Sequence, residues 1–77
     1  MASMNDVKTL IADQLGLDDG DVQPDSRIVE DLGAESSDVA NIMAAIQDRY
    51  GIKVSEDQIA KFITVSDVYL GIQQHSK

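Results

Sequence analysis

Asp31-Leu32-Gly33-Ala34-Glu35-Ser36-Ser37-Asp38 reads as a loop closing onto a helix. Gly33 gives the backbone freedom at the junction. Beyond it, Val39, Ile42, Met43, Ile46 and Tyr50 recur at the spacing of one buried helical face. The spacing predicts a helix over residues 36–50, with Ser36 at or just before its start. A helix N-terminus carries unpaired N–H groups and a partial positive charge, so the position suits a capping hydroxyl and equally an attached phosphate.

The surroundings of Ser36 do not suit a nucleophile. Asp31, Glu35 and Asp38 crowd it in sequence, and only a carboxylate is at hand to take its proton. Nucleophilic serines need an adjacent base and donors for an oxyanion. A serine that another protein modifies needs exposure and a charged collar, and that description fits better. His75, the only histidine, falls in a tail (Gln73 to Lys77) expected to fray, where it reads as a solvated residue. A Ser36/His75 hydrolytic pair lacks both an oxyanion donor and an orienting third residue.

A chain of 77 residues has room for one small domain and a modest core, and none for a deep catalytic cleft. The absence of cysteine removes disulfides and thiolate sites, so any thiol chemistry must use an imported thiol. The net charge of -8 is unevenly placed. Residues 1–38 hold ten acids against Lys8 and Arg27, and the remainder holds four of each sign. That field favours basic protein partners and opposes nucleic acid, although acidic loops also serve simply to keep a small protein in solution. No apolar run approaches membrane-spanning length, and the N-terminal stretch lacks the basic start and apolar core of a signal peptide, so the expected location is the cytoplasm.

Working outward, Ser3-Met4-Asn5-Asp6 resembles a capping box, and Val7, Leu10, Ile11 and Leu15 mark the buried face of a first helix that Gly16 ends. Leu17 to Leu32 is a long connection, but Leu17, Val22, Ile28, Val29 and Leu32 are spread through it, which predicts a loop strapped across the core. Asp19, Asp21, Gln23, Asp25 and Glu30 occupy ligand positions of a possible calcium loop. The fit fails where the sharp turn needs glycine and finds Pro24, and where a ligand position holds Arg27. No metal site is expected.

After Gly51, Ile52-Lys53-Val54 is an extended connector. Ser55-Glu56-Asp57-Gln58 repeats the capping pattern, followed by Ile59, Phe62 and Ile63 on one side of a short third helix. Phe62-Ile63-Thr64-Val65 is rich in β-formers, so strand competes there. Thr64-Val65-Ser66-Asp67 caps a last helix carrying Val65, Val68, Tyr69 and Ile72 inward, weakened by Gly71. The expected fold is all-α: a small four-helix bundle, three longer helices and one short, with a long first loop, in one domain over residues 1–77. Met43 and its neighbours read as ordinary core, in which a soft side chain would also let helices spread around a guest.

Glu30 to Asp38, E-D-L-G-A-E-S-S-D, resembles the signature of the acyl carrier proteins, commonly E-D-L-G-A-D-S-L-D. The similarity continues through Tyr50-Gly51-Ile52-Lys53-Val54 and Ile63-Thr64-Val65-Ser66-Asp67. Glu35 stands where that family usually has Asp, and Ser37 where it usually has Leu. The resemblance implies a non-catalytic carrier in which a phosphopantetheinyl transferase attaches 4′-phosphopantetheine to Ser36. The thiol of that arm would hold acyl groups as thioesters in fatty-acid, polyketide or specialised lipid assembly; an aminoacyl carrier is the neighbouring variant. Asp31, Glu35, Ser37, Asp38, Ala40, Asn41, Ala44 and Asp48 would then face partner enzymes with basic surfaces. Ser37, Ala40 and Ala44 occupy positions where the family often has large apolar residues, which points to a specialised member with different partners. A monomer without nucleic-acid or membrane partners is expected. The alternative is an acidic helical interaction module, or a calcium-responsive one, with no prosthetic group.

Overall fold

The computed structural model describes residues 3–75, and four α-helices account for its regular structure: α1 (Met4–Leu15), α2 (Ser36–Tyr50), α3 (Glu56–Ile59) and α4 (Val65–His75). Among these residues there is no strand, only an isolated antiparallel bridge between Arg27 and Thr64. The all-α expectation holds, with three longer helices and one short. No helix among the described residues is long and apolar enough to cross a membrane.

Local chemistry fixes most helix ends. Ser3 and Asp6 form the expected capping box, with Asp6 N–H donating to Ser3 Oγ at 3.1 Å and Ser3 N–H donating to the Asp6 carboxylate at 3.3 Å. Gly16 and Gly51 close α1 and α2 in the left-handed conformation. Gln58 N–H donates to Ser55 Oγ at the start of α3. At α4 the Asp67 carboxylate accepts from the N–H groups of Ile63 and Thr64, both at 3.0 Å, and Thr64 Oγ1 accepts from Asp67 N–H.

Helix α1 packs against both α2 and α4. Val7, Ile11, Ile42, Met43, Ile46, Val65 and Val68 lie fully inside, which places Met43 in the core as expected. The long loop is strapped across that core. It contains one 3₁₀ turn (Asp19–Asp21) held to α1 by Thr9 Oγ1 donating to the Asp19 carboxylate. Val22 and Ile28 insert fully from the loop, and Ala34 joins them.

The structure corrects three expectations. Helix α3 stops at Ile59, so Phe62 and Ile63 lie beyond it. Tight turns, Lys61 N–H to Gln58 O and Phe62 N–H to Ile59 O, divert the chain, and Asp67 then claims the next two N–H groups. The β-forming run does pair, but with the strap: Ile28 N–H donates to Ile63 O and Val65 N–H to Ser26 O. The tail does not fray where expected, since α4 continues to His75; Ser76 and Lys77 lie outside the described residues. His75 is half-buried rather than solvated, with Nε2 2.8 Å from Gln58 Oε1. The start of α2 falls where expected, with Ser36 the first helical residue and Glu35 at the cap position.

Candidate functional site

Three features place Ser36. Gly33 has φ 73°, a conformation that L side chains avoid, and it turns the strap toward α2. Ala34 N–H then donates to Ile28 O at 3.1 Å, anchoring the turn to the strap's buried residue. Asp38 reaches back to accept from Glu35 N–H at 3.0 Å, which sets the helix start. Ser36 emerges exposed, and among the described residues none bonds its hydroxyl. The oxygen is free of the capping role because Ser36 is the first helical residue, one past the cap position held by Glu35.

The carboxylates around it have different employments. Asp31 accepts from Arg27 N–H at 2.9 Å and from the guanidinium at 3.5 Å, while Glu30 pairs with Arg27 at 2.6 Å. The backbone N–H of Arg27, and then its side chain, hold the Asp31 carboxyl below the usual carboxylate range. Asp31 thus fixes the strap at the foot of the site. Glu35 is exposed, and Asp38 is half-buried beside the helix end. Of the outer face of α2, Ser37, Ala40, Asn41, Ala44 and Asp48 are all exposed, whereas the neighbouring Ala45 is half-buried against the core.

An open cleft of about 860 Å³ runs beside Ser36, between the strap, α2 and α3. Val29, Ala34, Val39, Ile59, Phe62 and Ile63 give it apolar walls, with Glu30, Glu35, Glu56 and Arg27 at the polar positions. Two of its lining residues, Val29 (59%) and Ile63 (56%), are among the three large apolar side chains left most exposed. The sequence reading found Ser36, Glu35 and Ala40 but not the α3 wall, because pairing of residues 26–28 with 63–65 is a long-range event. The one local signal was an apolar pair, Phe62-Ile63, continuing past the end of the α3 stripe. Met43 does not line the cleft.

The site fits a phosphate-linked group. It has an exposed unpaired hydroxyl, a helix N-terminus whose N–H groups and dipole favour an anion, and an apolar cleft alongside. The groups lining the cleft that could take a proton are the carboxylates of Glu30, Glu35 and Glu56. Among the described residues no three His, Cys, Asp or Glu side chains are grouped to hold an ion, and in the loop Asp21 accepts from Asp18 N–H.

Comparison with known proteins agrees with this geometry. The family model described as "Phosphopantetheine attachment site" matches residues 5–70. The chain is 39% identical over 75 residues to the acyl carrier protein of Chlamydia trachomatis serovar L2, covering 97% of each. It is 35% identical over 75 residues to the acyl carrier proteins of Helicobacter pylori strains G27 and HPAG1, covering 97% of this chain and 96% of theirs. The chain therefore belongs to the acyl carrier protein family, whose members bear covalently attached phosphopantetheine and work with a modifying transferase and acyl-handling enzymes.

Proposed function

We propose that this chain is a single-domain carrier that receives 4′-phosphopantetheine on Ser36 and presents acyl groups to separate enzymes without catalysing their reactions. The observation that carries this reading is the free, exposed hydroxyl of Ser36 at the first position of α2. In the loading step the Ser36 oxygen forms a bond to the pantetheine-bearing phosphorus of coenzyme A. The pyrophosphate bond breaks, adenosine bisphosphate leaves, and the hydroxyl proton passes to a base on the transferase. The N–H groups of the first turn of α2 then face the new phosphodiester. Once bound, the arm supplies a thiol for thioester formation and a flexible reach that raises effective concentration at each partner.

Ser37 is adjacent and exposed, but it lies one residue further into the helix, and we assign it, with Glu35, Asp38, Ala40, Asn41, Ala44 and Asp48, to partner contact. The small side chains of this face offer little apolar area, at about 25 cal/mol per Å² of surface buried. They support partners that bind mainly through the acidic charge, in fatty-acid, polyketide or specialised lipid assembly. Incubation with coenzyme A and a broad-range phosphopantetheinyl transferase should add one arm by intact mass. Ser36→Ala should abolish the addition and Ser37→Ala should keep it. An unmodified wild type, under conditions that load a control carrier, would overturn the proposal in favour of a plain interaction module. Identification of the acyl group that co-purifies with the native protein would then separate the pathways.

A further inference from the structure

Phe62 occupies a boundary. It lines the Ser36 cleft, and it also lines a second, smaller depression on its other side, of about 320 Å³, whose walls include Lys61, Leu70, Gly71 and Gln74. Among the lining residues of the two it is the only one they share. The ring is seated on α4. A methyl built on Gly71 would lie 2.8 Å from Phe62 Cε1 and closer still to Cζ, so the helix surface has been cleared to the backbone to receive the ring. Gly71 is buried in the middle of α4, where glycine weakens a helix, and contact with Phe62 is what that position accommodates. The two sides of the ring differ in character. Toward Ser36 it faces Val29, Val39, Ile59 and Ile63, whereas beyond it the depression mixes Leu70 with Lys61, Asp67 and Gln74.

We infer that Phe62, seated on Gly71, is the end wall of the Ser36 cleft and limits the length of acyl chain that the cleft shelters. The inference rests on the carrier reading of Ser36 given above. An aliphatic chain lying in the cleft gains from each methylene removed from water until it meets the ring. Beyond that point it must either lift Phe62 from its seat or return to solvent, so further methylenes contribute nothing. A smaller residue at position 62 joins the two depressions into one longer groove. A methyl at position 71 displaces the ring toward Ser36 and shortens the cleft.

The test uses the full chain loaded by a broad-range transferase with straight-chain acyl coenzyme A substrates from butyryl to dodecanoyl. For each acyl form the thermal midpoint and the rate of thioester cleavage by hydroxylamine are measured. In the wild type, stabilisation and protection should rise with chain length, then level at a break within the series. Phe62→Leu should move the break to longer chains and Gly71→Ala to shorter ones. Either variant alone decides the direction if the other does not fold, as judged by helical circular dichroism. A break that stays in place in a folded variant, or a wild type with no break, overturns the inference. Failure of the carrier reading shows separately, as absence of the arm by intact mass before any chain length is compared.

Discussion

His75 Nε2 lies 2.8 Å from Gln58 Oε1, clasping the last turn of α4 to α3 across 17 residues of chain. Helix α3 has only four residues, far too few to persist alone, so its position depends on such tertiary bonds. His75→Ala and Gln58→Ala should each destabilise the fold by about 0.5–1.5 kcal/mol, the net worth of one partly buried hydrogen bond. The double variant should cost less than the sum, as measured by urea unfolding at neutral pH. Strict additivity would mean that the two side chains do not interact in solution.

The pH dependence follows from three carboxylates that accept backbone N–H groups. Asp67 is held below its ordinary range chiefly by the Thr64 N–H, which outweighs an opposing burial effect, with the Ile63 N–H and the Thr64 hydroxyl adding to the lowering. Asp6 is lowered mainly by the Ser3 N–H, and Asp31 mainly by the Arg27 N–H. A carboxyl whose pKa is lower folded than unfolded contributes stability that is complete above its unfolded value, near 3.9, and is lost as pH falls through the folded value. Stability attributable to these groups should therefore be flat from neutral pH to about pH 5 and decline below about pH 4. Asp67→Asn should make that acid decline shallower. An acid limb of equal steepness in wild type and variant would remove Asp67 from the account.

What the sequence made legible was local. Ser3 with Asp6, Val7 with Leu10 and Ile11, and Gly16 lie within a few turns of one another, so cap, stripe and stop were readable together. The same holds for the entry to α2, where Gly33 and Ser36 stand three residues apart. The cap itself was not legible, since Glu35 is not a usual capping residue and only the Asp38 bond to its N–H marks it as the one before the helix. Contacts made across the chain were also hidden. The α3 wall of the cleft and the pairing of the strap with residues 63–65 depend on turns at Ala60 to Phe62 that no periodicity announces. His75 read as a solvated tail residue because its partner is on another helix.

Two valines of the strap test whether it is part of the core. Val22 is fully buried, although it sits among acids and turn residues in the sequence, whereas Val29 is 59% exposed at the cleft rim. Val22→Ala should cost about 2 kcal/mol, the transfer of two methyl groups plus the cavity they leave. Val29→Ala should stay within about 0.5 kcal/mol. Thermal unfolding resolves the pair, because 1 kcal/mol corresponds to roughly 4–8 °C in a domain of this size. Equal small effects would mean that the strap is not packed as described.

Tyr50 closes the buried face of α2, yet its hydroxyl oxygen is shielded from solvent with no hydrogen-bond partner among the described residues. The ring packs with the core, so the apolar part of the side chain is used and the polar tip is a liability. A buried oxygen without a partner forfeits its hydration and gains nothing in return, a penalty of about 1–3 kcal/mol. Tyr50→Phe keeps the ring and deletes the oxygen, so it should raise stability by up to about 1 kcal/mol, since neighbouring atoms relax only partly around the deleted group. Urea unfolding at neutral pH measures the change, with an unchanged slope showing that the folded state is equally compact. A loss of stability in the phenylalanine variant would mean that the hydroxyl finds a partner in solution, and the burial of its oxygen would have to be abandoned.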